Sequence, residues 1–259
     1  AMCDAARPEA LLTLKHDPQD AGAYAVLEGI EPTYNYARRE AILTRGLRIA
    51  KHPKEPLGAL YSYQGTVLSS VGRLREALSF QLIARATDEW GPPKTAKLIH
   101  NYANMGNLDA ARTWLRQAVR RWPNHSAVRA ARLYIAAFCE QPAEGLAMLD
   151  EIATTAPAGE NDTAIWRQFI GAKITRSPAA TRRTIALVRK AGESGKIPRE
   201  TEIMMLAGLD ETKLAIAEAN SALDQRRLDP RFLFTPVMHR IRQTPDFVGL
   251  ATRMGLIKY

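Results

Sequence analysis

Along residues 95–123 apolar positions recur at helical spacing in two blocks parted by a short break. Leu98, Ile99 and Tyr102 share one face of the first block, and Ala111, Leu115, Ala118 and Val119 share one face of the second. Met105-Gly106-Asn107 separates the blocks, and glycine tolerates the left-handed backbone on which helices end. Pro123 stops the second block. The pattern predicts a helical hairpin. Shifted back by 34 positions, Gly106 falls on Gly72, Leu108 on Leu74, Ala111 on Ala77 and Ala118 on Ala84. Shifted forward by the same 34, Pro123 falls on Pro157 and Leu115 on Leu149. Residue types returning at one fixed period mark a stack of helical hairpins, each burying a face that it cannot bury alone.

The same spacing extends in both directions. Residues 1–17 predict a frayed start with one short helix at 8–14. Asp17-Pro18 predicts the start of a helix carrying Tyr24, Leu27 and Ile30, and 34–50 predicts its partner, together a degenerate hairpin at 18–55. Clear repeats occupy 56–157, with Asn124 as the expected cap of the third and Pro142 opening its second helix. Divergent repeats follow at 158–224: one pair around Trp166 and Ser177-Pro178, another at 200–209 and 212–223. Residues 225–259 break the pattern, with short helical runs at 236–242 and 245–254. This segment is expected to cap the stack by folding Phe232, Phe234, Val237, Ile241, Phe247 and Leu250 over the last hairpin. No strand pattern competes, so the chain reads as all-α and as a single domain.

Composition adds exclusions. Hydrophobic residues at 46% and charged residues at 24% are ordinary for a folded soluble domain. No run of apolar residues is long enough to span a bilayer, and the first residues lack the basic-then-apolar layout of a signal peptide. Cys3 and Cys139 are too few for a disulfide framework or a zinc site; they read as one terminal and one core thiol. His16, His52, His100, His125 and His239 show no metal-ligand spacing, and no nucleophile elbow, phosphate-cradling loop or dinucleotide fingerprint is present. No catalytic, cofactor-binding or metal-ligating residues are therefore expected, and no enzyme. The net charge of +9 favours anionic partners. Arg112, Arg116 and Arg120, with Arg121, Arg129, Arg132, Arg182, Arg183, Arg189 and Lys190, form either a phosphate-tracking stripe or a solvated outer face. No aromatic platforms for bases interleave them.

The repeat resembles the tetratricopeptide repeat (TPR), through Gly65, Gly72, Ala77 and Ala84 in one unit and Tyr102, Gly106, Ala111, Ala118 and Pro123 in the next. The third unit departs from it, with Gly145 and Ile152 at the two alanine positions. The resemblance implies a right-handed α-solenoid of about five hairpins with a C-terminal helical cap, its first helices lining a concave groove. It also implies a protein- or peptide-binding scaffold. Period and phase place Ser62, Thr66 and Ser69, then Ala96, His100 and Asn104, then Ala130, Tyr134 and Phe138, then Asn161, Ala164 and Gln168 at the inner positions. Tyr134 and Phe138 are either groove anchors or core, because spacing alone does not separate the two. The alternative partner is RNA or another single strand, as in pentatricopeptide repeats of similar period. The tail, through Phe234-Thr235-Pro236, Ile241-Arg242, Pro245-Asp246-Phe247, Leu250 and Gly255-Leu256, resembles the closing segment of repeat regions in bacterial membrane-anchored winged-helix transcriptional regulators. That likeness implies the sensory or interaction domain of a larger regulatory protein, periplasmic in that case and cytoplasmic otherwise.

Overall fold

The computed structural model describes residues 2–49, 57–87, 91–155, 163–225, 228–257 and 259. Among them regular structure is helical throughout and no strand is present. The helices are α1 (Met2–His16), α2 (Ala21–Gly29), α3 (Tyr36–Ile49), α4 (Leu57–Ser70), α5 (Leu74–Thr87), α6 (Pro92–Asn104), α7 (Leu108–Arg121) and α8 (Ser126–Phe138). There follow α9 (Pro142–Thr155), α10 (Ala164–Thr175), α11 (Pro178–Glu193), α12 (Arg199–Gly208) and α13 (Thr212–Asp224). Two 3-10 turns, Pro230–Phe234 and Pro236–Met238, lead into α14 (His239–Arg242) and α15 (Pro245–Arg253). Consecutive helices pack as hairpins, and the first helices of neighbouring hairpins, α6 with α8 and α8 with α10, lie side by side.

The turns form for the reason the glycines suggest. Gly72 and Gly106 adopt φ of 82° and 79°, and each turn is closed by a backbone bond across six residues, Arg73 N to Leu68 O and Asn107 N to Tyr102 O, both 2.9 Å. That geometry satisfies carbonyls which the helix end would otherwise leave unpaired. Between α12 and α13 Asp210 takes the same backbone conformation at φ 64°, which a short polar side chain tolerates better than a branched one.

Close approach sets the residue types on the facing helices. Ala77, Ala84, Ala111 and Ala118 are fully buried at the contact between hairpin helices, where a small side chain lets two axes approach. The third hairpin needs glycine: a Cβ built on Gly145 would stand 2.3 Å from the Ala136 carbonyl oxygen and 3.2 Å from Ile170 Cδ1. Its departure from the repeat pattern is a tighter crossing of α8 and α9.

Three local expectations differ from the structure. Helix α1 runs through Pro8 to His16 rather than covering 8–14 alone. Asp17 accepts from the backbone of Gln19 in a turn, and Asp20 caps α2 by accepting from Ala23 N at 2.6 Å. Helix α8 is capped not by Asn124 but by His125, whose Nδ1 accepts from Ala127 N at 3.1 Å. Pro53, Pro157 and Asn161 lie outside the described residues.

The C-terminal segment reaches further than a cap on the last hairpin. It is pinned there by Arg240 on Asp210 and by Arg253 on Asp224 and Asn220. It then extends to the other end of the stack. The Leu228 carbonyl accepts from the Tyr34 hydroxyl at 2.9 Å, and Phe234 lies so close over the turn of the α4–α5 hairpin that a Cβ on Gly72 would meet its ring at 2.6 Å. Tyr259 sets its ring edge-on to Tyr36, 5.9 Å between centres, and its hydroxyl bonds Glu40 while accepting from Arg73. Both ends of the chain are thus tied together across the inner helices.

Two pairs of substitutions check this packing. Gly145→Ala and Ala111→Leu should each overpack a hairpin, at a cost of about 1–3 kcal/mol, which lowers Tm by roughly 2–4 °C per kcal/mol in a chain of this size. Gly106→Ala meets no neighbouring atom and should cost only the strain of a positive φ, whereas Gly72→Ala must also displace Phe234. Thermal unfolding should therefore place Gly72→Ala below Gly106→Ala; equal midpoints would mean that Phe234 is not seated on that turn.

Candidate functional site

Between the inner helices and the returning C-terminal segment lies a chamber of about 470 Å³. Helix α6 supplies its floor through Ala96, Lys97, His100, Asn101 and Asn104, with Ser69 of α4 and Gln81 of α5 on one side and Ala130 and Tyr134 of α8 on the other. Glu200 and Met204 of α12 and the stretch from Asp229 to Thr235 close the opposite wall. Most of the lining is apolar, with Phe232, Met204, Tyr134 and the alanines among it.

Among the inner positions expected from the repeat phase, Ser69, His100, Asn104 and Tyr134 meet in this chamber, together with Ala96 and Ala130. Ser62 and Thr66 stand beside it on α4, their hydroxyl oxygens accepting from Lys97 Nζ at 3.0 and 2.9 Å. Phe138 lies outside the lining, its ring 5.6 Å from Tyr134 and 5.5 Å from the buried Phe169. Gln168 and Ala164 are exposed on α10, also outside it. Gln81, Glu200 and the 229–235 stretch were not anticipated, and the pair Lys97 and Asn101 falls one position off the expected inner phase yet lines the chamber. Lys97 had a readable signal: one period on stands Ala131, which is fully buried, so a lysine here sits at an inward position. The 229–235 stretch had none, because nothing in its own spacing says which distant helix it will cover.

The electrostatics of the chamber centre on Lys97. Its ammonium donates to two neutral hydroxyls, and no described carboxylate is hydrogen-bonded to it. Burial lowers its pKa to about 8; Arg231 and Lys94 push the same way, while Glu28 and Asp229 oppose. Arg231 is neutralised in place. Its Nε stands 3.0 and 2.8 Å from the two carboxylate oxygens of Asp229, and its backbone N–H donates to the same carboxylate at 3.0 Å. Burial pushes Asp229 up, but the bonds from Arg231 outweigh it and hold the carboxyl below its ordinary value. Glu200 Oε1 accepts from the backbone N–H of Asp229 at 2.7 Å and so holds the wall segment against α12.

The remaining polar groups form a partly satisfied network. His100 is driven by burial to a pKa of about 4, so its imidazole is neutral at pH 7; it stands edge-on to Tyr134 at 4.8 Å. The Tyr134 hydroxyl donates to Asn104 Oδ1, and burial raises its pKa well above normal. Burial likewise pushes the neighbouring Cys139 thiol up to about 12, against the pull of the Tyr134 hydroxyl. Ser69 Oγ sits 2.8 Å from the Gly65 carbonyl and 3.1 Å from Asn101 Oδ1, and accepts from Gln81 Nε2 at 3.4 Å. His100 Nε2, Asn101 Nδ2 and Gln81 Oε1 are sealed from solvent without a protein partner, a state that costs free energy for each group.

The basic residues behave differently. Arg112 bridges to Glu140, its Nε 2.8 Å from Oε1; Arg132 to Glu151 at 3.0 Å; and Arg189 to Glu218 at 3.1 Å. The first tie links α7 to the turn between α8 and α9, the second α8 to α9, and the third α11 to α13. Arg116, Arg120, Arg182 and Arg183 are exposed.

Because the partly buried Lys97 ammonium is bonded to two hydroxyls and to no described carboxylate, Lys97→Met should raise the thermal midpoint at pH 7. The folded pKa of about 8 lies below the ordinary 10.5. Below pH 8 both folded and unfolded chains hold the proton and the cost of burying it is fully felt. Between those values the unfolded chain binds more protons, so the parent gains stability as pH rises. The advantage of Lys97→Met should therefore be largest below pH 8 and shrink toward pH 10; an advantage independent of pH would contradict the buried ammonium.

No protein-family model matches the chain and no curated protein matches it significantly.

Proposed function

We propose that this chain is a non-enzymatic binding module, a right-handed helical-repeat solenoid of about five hairpins of the tetratricopeptide kind, and that its ligand is a compact guest held in the chamber. The observation that carries the reading is the cavity itself. Its volume of about 470 Å³ lies within the range of roughly 300–1,000 Å³ typical of small-ligand sites. It combines apolar walls with a few converging polar groups, the usual composition of such sites.

The groove of a peptide scaffold takes a narrower form here. A helix or extended peptide laid along the inner helices would meet the 229–235 stretch, which already covers α4 and α6. A protein partner would thus offer the chamber a side chain or a chain end rather than a long segment. The nucleic-acid alternative is disfavoured because Arg112, Arg132 and Arg189 are committed to carboxylates, which leaves fewer cations for phosphates.

Ala130 lines the chamber yet is exposed, so a large side chain there should obstruct the mouth without disturbing the buried core. The parent and Ala130→Trp should have similar melting curves. In a thermal-shift screen of pooled short peptides and small organic fragments, the parent should yield hits that Ala130→Trp loses. Hits unaffected by the plug would place binding elsewhere. Single-stranded and duplex oligonucleotides should not bind at low salt; binding that weakens steeply with salt would favour the basic face instead.

A further inference from the structure

The balance of charge in the chamber narrows the guest further than shape does, provided that the chamber is the binding site. Two cations and two carboxylates line it: Lys97, Arg231, Asp229 and Glu200. Arg231 and Asp229 cancel each other through paired hydrogen bonds, and Glu200 is engaged with the backbone of the wall. Among the described residues Lys97 makes no ion pair; the Ser62 and Thr66 hydroxyls hold its ammonium, with Glu28 and Asp229 attracting it from beyond bonding distance. An uncompensated ammonium behind apolar walls is costly, and the cost is recovered when an opposite charge is brought into contact with it. The cavity is the space from which that charge can come.

We propose that the chamber binds a small organic monocarboxylate, its carboxylate against Lys97 and its apolar body against Ala96, Tyr134, Met204 and Phe232. The charge must be single. A phosphate dianion would bring a second negative charge that no free cation meets, between the carboxylates of Asp229 and Glu200. The guest is a small molecule because the space among α6, α12 and the 229–235 stretch is about 470 Å³, the size of a small-ligand site. Lys97 is kept at an inward position at a cost in stability, which is the trade expected of a binding residue.

The experiment uses the whole chain and defined probes: benzoate, phenylacetate and hexanoate, the neutral amide of each, inorganic phosphate, and a tetrapeptide with a free C-terminus. Calorimetric titration at pH 7 should find at least one acid bound with Kd of about 1 mM or tighter, and its amide weaker by about tenfold or more. Lys97→Met should lose the acid while staying folded, and Lys97→Arg should retain part of the affinity. At pH 8.5, where the Lys97 ammonium faces Arg231 and Asp229 from the C-terminal segment, Glu28 from α2 and Lys94 on its own helix, binding should take up protons. Titration in buffers of different ionisation heats reads that uptake directly. The proposal is overturned if acid and amide bind alike, if Lys97→Met binds the acid as the parent does, if phosphate binds more tightly than every acid, or if no acid binds. The acid–amide comparison needs only the parent protein, so it decides even where a variant fails to fold. Amides that bind as well as acids, and are excluded by Ala130→Trp, would leave the chamber as a binding site while removing the charge argument. A tetrapeptide bound more tightly than every small acid would reassign the site to chain ends.

Discussion

The closest helix contacts govern the spacing of everything else in this molecule. Where hairpin helices cross, the side chain is alanine or glycine: Ala77, Ala111 and Gly145 occupy equivalent places in three successive units. At Gly145 the facing backbone comes nearer than even a methyl group would allow. Such contacts fix the distance between the two helices of a hairpin and so the positions from which the first helices present their inner residues. His100 and Tyr134 come from helices in successive units, and their ring contact is possible only because α6 and α8 are held side by side.

The C-terminal segment turns that row of helices into a container. Prolines and a run of 3-10 turns keep residues 230–238 from continuing the repeat. Buried Phe232, Leu233 and Met238 anchor the segment in the same core as the later hairpins. Tyr34 and Leu256 pack against both that core and the N-terminal one. The inner face therefore meets the chain's own tail, and a chamber of about 470 Å³ lies between them.

Inside that chamber burial and charge pull in opposite directions. Burial favours the neutral forms of His100 and Lys97 and the protonated form of Tyr134, while hydrogen bonding keeps Arg231 and Asp229 ionised as a pair. Several amide and imidazole atoms lack partners altogether. Polar groups left in this state cost stability in an isolated fold, whereas Arg112, Arg132 and Arg189 each meet a carboxylate.

The sequence by itself determined the helices and their order, because helix formation depends on spacing, turn glycines and prolines that act within a few residues. The 34-residue return of Gly72 and Gly106, the Ser177-Pro178 start of α11 and the short runs at 236–242 and 245–254 were all legible in that way. Ser69, His100, Asn104 and Tyr134 could be named as inner residues because phase along a repeat is also local information. Cap choice was less so: His125 rather than Asn124 satisfies α8, since a single peptide's rotation decides which side chain faces the free amides. Contacts made only in the folded chain bring Leu228, Phe234 and Tyr259 to Tyr34, Gly72 and Glu40, set Phe138 in an aromatic cluster, and leave Lys97 bonded to two hydroxyls and to no described carboxylate. Those outcomes depend on contacts between residues as far as 219 positions apart, which are set by the shape of the whole stack and leave no periodic trace in the chain.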